Sequence, residues 1–393
     1  VLRLARLINY NAKRNKPATG LLKIDSMSTT QDVLDSTGTN LANSNIIWND
    51  SANANYREQF TAILNAANQT GQLFGNPRES AKIGGIDTEV YTLSSNQLDL
   101  PIFTFQKSVG GITRSFEIVS STITESDSIY ESSPVPGTGL TYSYRTDGSG
   151  DSSNNTGFFF LFKQGTMQNQ EFSVETSVTN YIKSLETTNI NDSDFWLYKL
   201  DQFGQLSEAW TKVPALSGNN AIYNSLAKGE RNTYNVVTKN NDAVDLVFGD
   251  GNFSNIPLGS FRTYYRVSDN AKFGIQPADM QSVQLTVPYT DTNGAQQSLS
   301  MSVSLKSSVY NSAATESNDS IKEKASQVYY SQNRMITAED YQVVPLSASQ
   351  EIVKVRSVNR SASGISRAKE ILDPTGAYSN VSVFAEDGIL YRE

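Results

Sequence analysis

A chain of 393 residues with 40 acidic and 32 basic side chains, no histidine and no cysteine excludes several functional classes at once. Its net charge of −8 argues against a general nucleic-acid binder, which needs clustered Lys and Arg to displace counterions. Lack of cysteine removes disulfides and thiolate metal sites, and lack of histidine removes the usual hydrolase base and the commonest metal ligand.

The length exceeds one ordinary core, so two or three domains are expected. Abundant Asn, Ser and Thr suit a β-rich protein with many turns. The longest strongly apolar run, Phe158 to Phe162, is far short of the roughly 20 residues a membrane helix needs. Leu2 to Ile8, interrupted by Arg3 and Arg6, does not read as a signal peptide. Residue 1 is Val and the first residues read as the middle of a helix, so a piece of a longer protein is expected.

Val1 to Tyr10 places Leu4, Leu7 and Ile8 at helical spacing. Lys16-Pro17-Ala18-Thr19-Gly20 breaks that pattern into an extended segment, Leu21 to Ile24. Ser51 to Thr70 reads as a helix with Tyr56, Phe60, Ile63, Leu64 and Ala67 on one face, packed on its own domain. From Ile83 the pattern turns to strands, at Glu89 to Leu93, Ile102 to Phe105, Ile112 to Ile118, Leu140 to Tyr144 and Phe158 to Phe162. Asp147 to Asn155 alternates oxygen-bearing residues as a calcium loop does. Ser152 stands where such a loop needs Gly, however, and Phe158 where it needs Glu, so a surface loop is expected.

Glu171 to Val178, Phe195 to Leu200 and Trp210 to Val213 continue the strand character, with Asp201 to Gly204 as a hairpin bend. Ala221 to Lys228 reads as a short helix, and Asn232 to Thr238 as a lead into Val244 to Phe248, a buried strand. Gly249, Asp250 and Gly251 break that strand, Pro257 and Gly259 make a second bend, and Phe261 to Val267 forms the next strand. Arg262, Tyr264 and Arg266 alternate there and share one face, which is expected to meet a carboxylate of its own domain or a neighbouring subunit.

Ser282 to Tyr289 and Leu299 to Leu305 alternate as strands joined by an Asp-Thr-Asn-Gly hairpin. Ser317 to Gln332 reads as a helix with Ile321, Ala325, Val328 and Tyr329 on one face. Thr337 to Asp340 resembles a capping box that opens a short helix, Tyr341 to Val344, stopped near Pro345. Strands are expected at Glu351 to Asn359, Asn380 to Ala385 and Ile389 to Tyr391. The fold class is thus α+β and predominantly β, multi-domain, with sandwich- or barrel-like modules and an α+β C-terminal part. The expected divisions are 1–82, an N-terminal helix and extended segment continuing a domain outside the chain; 83–240, β-rich and variable; 241–310, a β core module; and 311–393, α+β.

Candidate chemistry is thin. No glycine is followed by lysine, so the phosphate-cradle pattern is absent, and Gly249-Asp250-Gly251 has no third glycine at dinucleotide spacing. Gly364-Ile-Ser366 resembles a degenerate nucleophile elbow with only Lys369 to serve as base. Carboxylates for glycoside cleavage could come from Asp242, Asp245 and Asp250, from Glu339 with Asp340, or from Glu386 with Asp387. Carboxylates this common are usually solvated surface. No catalytic, cofactor-binding or metal-binding residue is expected, and no enzyme.

Phe248-Gly-Asp-Gly-Asn-Phe-Ser-Asn-Ile-Pro-Leu-Gly259, followed by Phe261-Arg-Thr-Tyr-Tyr-Arg266, resembles a signature of the baseplate wedge proteins of contractile-tailed, T4-like bacteriophages, within the baseplate J-like family. Lys16-Pro-Ala-Thr-Gly20 resembles that family's Pro-Ala segment after an N-terminal helix. Asn333-Arg-Met-Ile-Thr-Ala-Glu-Asp-Tyr341 is similar to its Arg-x-Val-Thr-x-x-Asp-Tyr pattern. Asp373 to Tyr378 with Phe384 to Gly388 is similar to wedge proteins of large T4-like phages. Ser268-Asp-Asn270 departs from the family's glycine-rich turn, and Asn tolerates the left-handed conformation needed there. The middle β-rich part, where the likeness is weak, reads as a lineage-variable insertion.

The resemblance implies a structural virion subunit in the tail baseplate, assembled in the host cytoplasm. Its implied partners are a second copy of itself, as a dimer within a wedge and in ring contacts, and other baseplate and tail proteins, with no nucleic acid and no membrane insertion. It implies that neighbouring wedges are joined into a ring around the hub and that the ring rearranges to trigger sheath contraction. Tyr329, Tyr330 and Tyr341 are the expected subunit contacts, unless they fill their own core. A receptor-binding tail adhesin and a carboxylate-dependent glycan-active enzyme are the rival readings.

Overall fold

The computed structural model describes residues 1–8, 10, 12–68, 74–93, 103–124, 127–134, 140–213, 216, 231–252, 254–331, 334–348, 352 and 354–357. Strand makes up 45% and helix 15%, which sets the class as α+β and predominantly β, in several sheets with helices toward the C-terminus. Two compact units divide the chain: Val1–Lys13 with Glu316–Glu393, and Arg14–Thr315. The helices are α1 (Leu2–Leu7), α2 (Tyr56–Ala67), α3 (Asn318–Ser331) and α4 (Asp340–Ala348).

In the larger unit the first ten strands are β1 (Thr19–Thr29), β2 (Ile46–Ile47), β3 (Glu79–Ile83), β4 (Ile86–Leu93), β5 (Phe103–Val109), β6 (Ile112–Val119), β7 (Ser121–Ile123), β8 (Ile129–Glu131), β9 (Leu140–Thr146) and β10 (Gly157–Gln164). Then come β11 (Thr166–Val174), β12 (Ile182–Leu185), β13 (Ile190–Leu200), β14 (Leu206–Lys212), β15 (Thr233–Thr238), β16 (Val244–Phe248), β17 (Gly259–Val267), β18 (Val283–Thr290) and β19 (Gln296–Leu305).

A ten-stranded sheet runs β18-β19-β1-β10-β9-β4-β3, with β2 on β1 and the β5–β6 hairpin on β10. The apolar run Phe158 to Phe162 is its centre: β10 is buried along its whole length, so it shows no alternation. Helix α2 lays Phe60, Ile63, Leu64 and Ala67 on this core, and Phe158 packs its ring among Trp48, Phe60, Phe74, Tyr142 and Tyr144. β18 and β19 alternate because one face only is buried, with Val283, Leu285 and Val287 inward. Their hairpin is closed by Asp291, whose Oδ1 accepts the amides of Asn293 at 2.9 Å and Ala295 at 2.8 Å.

A second, seven-stranded sheet runs β11-β17-β13-β14-β15-β16-β12 and curls into a half-barrel. Its strands are antiparallel except for the β14–β15 pair. Curling brings non-neighbouring strands face to face: the Trp210 ring lies 5.5 Å from both Phe248 and Phe261. The two strands flanking the Gly249–Gly259 loop therefore do not pair with each other; the loop joins β16 to β17 across the curl. Strands from residues 83–240 and 241–310 mix in both sheets.

The Asp147 to Asn155 loop is organised by its own hydrogen bonds. Ser153 donates to Asp147 Oδ2 at 2.6 Å and the Ser149 amide to Oδ1 at 2.9 Å, which holds this carboxyl down to about 2. In the smaller unit, Ala5, Tyr10, Ile321 and Ala325 form a compact core, and Tyr10 donates to Glu316 at 2.8 Å. Thr337 and Asp340 cap α4 reciprocally, at 2.8 and 3.2 Å.

Helix α4 does not stop at Pro345 but runs on to Ala348. Proline there removes the backbone bond to the Tyr341 carbonyl, and the helix continues past it. The Lys13 ammonium also donates to the Leu346 carbonyl at 2.6 Å, supporting the last turn. Among the described residues of the strand expected at Glu351 to Asn359, Ile352 and Lys354 to Ser357 form no strand. The rest of that stretch, the strands expected at 380–385 and 389–391, and the helix expected at 221–228 lie outside the described residues.

Phe158→Ala, at the centre of the aromatic core, is expected to lower unfolding stability by about 3–5 kcal/mol. Urea denaturation followed by tryptophan fluorescence checks this, and a loss below about 1 kcal/mol contradicts the packing described.

Candidate functional site

The loop from Phe248 to Gly259 is shaped by close approach. A Cβ at Gly249 would lie 2.3 Å from that of Ser254, and Gly251 has φ +90°, a conformation side chains oppose. The Gly251 amide donates to the Ser254 carbonyl at 2.9 Å, and the Asp250 carboxylate accepts the Asn252 amide at 2.9 Å. Ser254 donates its hydroxyl to the Thr233 carbonyl at 2.9 Å, and Arg231 donates to the carbonyls of Gly251 and Asn252 at 2.9 and 3.0 Å. Pro257 is buried. The loop's polar groups thus hold its own shape and anchor it to the start of β15.

Beyond the loop, Arg262, Tyr264 and Arg266 share the face of β17 opposite the half-barrel core. Arg262 makes an exposed pair with Glu171 at 2.6 Å, and Tyr264 sets its ring edge-on to Tyr198 at 6.1 Å. Arg266 is fully buried. It donates to Glu131 at 2.7 Å and to Glu117, and its Nε lies 3.6 Å from Asp194. Lys163, 8% exposed at its side chain, binds Asp194 and sits 3.1 Å from Glu131. The Met167 amide also donates to Glu117, at 3.0 Å.

Five elements meet in this cluster: β6 and β10 of the large sheet, β8 of the small two-stranded sheet, and β13 and β17 of the half-barrel. Three carboxylates against two cations leave one negative charge in excess. Burial pushes the Glu117 carboxyl above the ordinary range, against the pull of Arg266. Burial works against ionised Asp194 too, but Lys163 and Arg266 together hold its carboxyl below the ordinary range. Glu117, Glu131, Lys163 and Asp194 escape sequence reasoning because they lie far apart in the chain. The usable signal is a charge within an apolar run, as in Phe158-Phe-Phe-Leu-Phe-Lys163.

Of the acidic residues considered for glycoside cleavage, Asp242, Asp245, Asp250 and Asp340 are engaged locally. Asp242 is buried beside Arg14 and Thr315. Asp245 accepts from Ser184 at 2.6 Å and pairs with Lys239 at 3.5 Å, and Asp340 caps α4. Glu339 lies beside Asp340 at the start of that helix. Gly364, Ser366, Lys369, Glu386 and Asp387 lie outside the described residues. An open groove of about 400 Å³ is lined by Asp25, Asn154, Gln281, Ser304 and Lys306, and its carboxylate already pairs with Lys306 at 2.7 Å. Among the described residues no group of three or more Asp or Glu could hold a metal ion.

Tyr329, Tyr330 and Tyr341 of the helical unit are exposed, at 59%, 83% and 50%, and Ile336 between the helices at 73%. They lie outside the core of that unit.

Residues 20–308, most of the chain, match a family described as a domain of unknown function (DUF8360). Neither curated proteins nor solved structures give a significant match.

Gly251→Val should give misfolded protein or failed assembly, checked by the soluble yield and by circular dichroism; a normally folded, assembling variant contradicts the backbone argument. Arg266→Ala leaves three carboxylates buried with one cation and should destabilise by about 3–5 kcal/mol in chemical denaturation. Because the Glu117 carboxyl is raised in the fold, its contribution is fully present below the unfolded value of 4.5 and lost as pH rises through the folded one. Glu117→Gln should therefore gain stability relative to wild type as pH rises from 4 to 8. A variant that falls further behind with rising pH reverses the sign.

Proposed function

We propose that this chain, which belongs to the DUF8360 family, is a structural subunit of the baseplate wedge of a contractile phage tail and acts by assembly rather than catalysis. The observation that carries the reading is the exposed apolar set Tyr329, Tyr330, Ile336 and Tyr341 on the helical unit. Tyr329 and Tyr330 hold their exposed rings 6.1 Å apart, and aromatics dominate the energetics of surfaces that partners cover. Ile336 and Tyr341 belong to the segment Asn333 to Tyr341, which resembles the wedge-protein pattern, so the exposed side chains and the resemblance coincide.

Further support comes from the larger unit. The Phe248–Gly259 loop, part of the resemblance, is held by hydrogen bonds within itself and to Arg231 and Thr233, as suits a building block. The carboxylates of Asp242, Asp245, Asp250 and Asp340 are engaged as caps, turns and ion pairs, which favours assembly over glycan cleavage. The proposed partners are a second copy of the chain and other baseplate or tail proteins, and the proposed location is the virion tail.

Co-expression with the products of neighbouring tail genes should give ring-like or wedge-shaped particles in negative-stain images. The double variant Tyr330→Ser with Ile336→Asp should abolish them while leaving the thermal melting temperature within about 2 °C of wild type. A wild-type protein that stays monomeric with every tail partner sinks the proposal.

A further inference from the structure

The larger unit begins at Arg14 and ends at Thr315, and both residues are tied to one carboxylate. Arg14 is 5% exposed; its Nη2 donates to the Ile190 carbonyl at 2.7 Å and its Nε lies 3.9 Å from Asp242 Oδ1. The Thr315 hydroxyl donates to the other oxygen, Oδ2. Asp242 itself is 1% exposed. Farther in, the incoming and outgoing segments bind each other directly. Lys16 and Ala313 exchange both backbone bonds, at 2.9 and 3.0 Å. The Asn311 side chain takes the amide and the carbonyl of Thr19 at 3.0 and 2.8 Å.

The backbone gripping these segments is held in an uncommon shape. Asn189, Asn241, Asp242 and Asn270 all have φ between 54° and 57°, the left-handed region that Asn and Asp enter more readily than other side chains. Hydrogen bonds wire the four to the two segments. The Asn189 amide donates to the Asn241 carbonyl at 2.9 Å, Asn15 donates to the Asn189 carbonyl at 3.0 Å, and the Thr315 amide donates to Asn270 Oδ1 at 2.6 Å. Ser268 adds a hydroxyl shared between Asn15 at 2.9 Å and Asn191 at 2.7 Å.

The charges facing Asp242 are Arg14, which pulls it toward ionisation, and the exposed Asp192, which opposes it. No buried cation other than Arg14 pairs with it among the described residues. The Asp242 side chain thus gives this clamp one ion pair and one hydroxyl bond, beside the bonds of Arg14 to the Ile190 carbonyl, Asn15 to the Asn189 carbonyl and the Thr315 amide to Asn270.

We propose that Asp242 is a latch: it clamps residues 14–16 and 313–315 onto the half-barrel, and its release frees both segments together while both sheets stay folded. The latch lies wholly inside the larger unit and does not rest on the baseplate reading. Its sequence neighbours Lys13 and Glu316 belong to the smaller unit, so these segments are the only covalent links between the two.

Amide hydrogen exchange on the full chain tests this, comparing wild type with Asp242→Ala, Asp242→Asn and Arg14→Met. In Asp242→Ala and Arg14→Met the amides of Lys16, Ala313 and Thr315 should exchange at least tenfold faster, together, while those of β15–β16 and β18–β19 keep wild-type rates. Asp242→Asn keeps an oxygen for Thr315 and loses the charge for Arg14, so it should fall between. If Asp242→Ala does not fold, the other two variants decide. Unchanged exchange at the three amides, acceleration of one segment only, or equal acceleration through both sheets overturns the latch.

Discussion

Arg266 is the constraint on which the larger unit is arranged. A guanidinium with no exposure to water is tolerable only if carboxylates surround it, and the strands that supply them come from three different sheets. Apolar packing alone would let the half-barrel slide across the large sheet, since dispersion contacts are non-directional. Charge-assisted bonds from one fork to Glu117 and Glu131 fix both the distance and the rotation. Ion clusters of this kind contribute orientation more than net stability, because desolvation offsets much of the attraction. The excess negative charge, carried partly by a carboxyl pushed upward at Glu117, leaves this junction close to electrostatic balance.

Around that junction the two sheets use apolar residues differently. β10 is covered on both faces and reads as an unbroken apolar run, whereas β18 is covered on one and alternates. Both patterns are plain in the sequence, and the strands found there follow them. The hairpins at Asp201 and Asp291 are equally legible, since an Asp followed by Asn or Gly closes a turn with its own carboxylate. The same logic found the α4 cap at Thr337 and Asp340.

What stayed hidden had its causes elsewhere in the chain. Gly249 is required by Ser254 pressing against it, a contact no local pattern announces. The ion cluster joins residues 117, 131, 163, 194 and 266, and no spacing rule links positions so far apart. Pairing order was hidden as well: the strands beside the Gly249–Gly259 loop follow each other in the chain and do not pair. Pro345 misled because it removes one backbone bond near the helix's end without stopping the helix. The functional reading in turn comes from the resemblance of a few motifs, and the exposed tyrosines are the point where structure adds to it.

The first and last strands of the large sheet, β1 and β19, lie side by side, and the family match at 20–308 spans nearly the same interval. The matched module consequently starts and finishes at one spot on its own surface. A domain with that geometry can be set into a loop of another domain without stretching either, because host and guest share only two adjacent crossings. The smaller unit, assembled from the sequences on both sides of the module, has the connectivity of such a host. Evolution could thus exchange the guest whole, keeping the helical carrier and replacing what it carries.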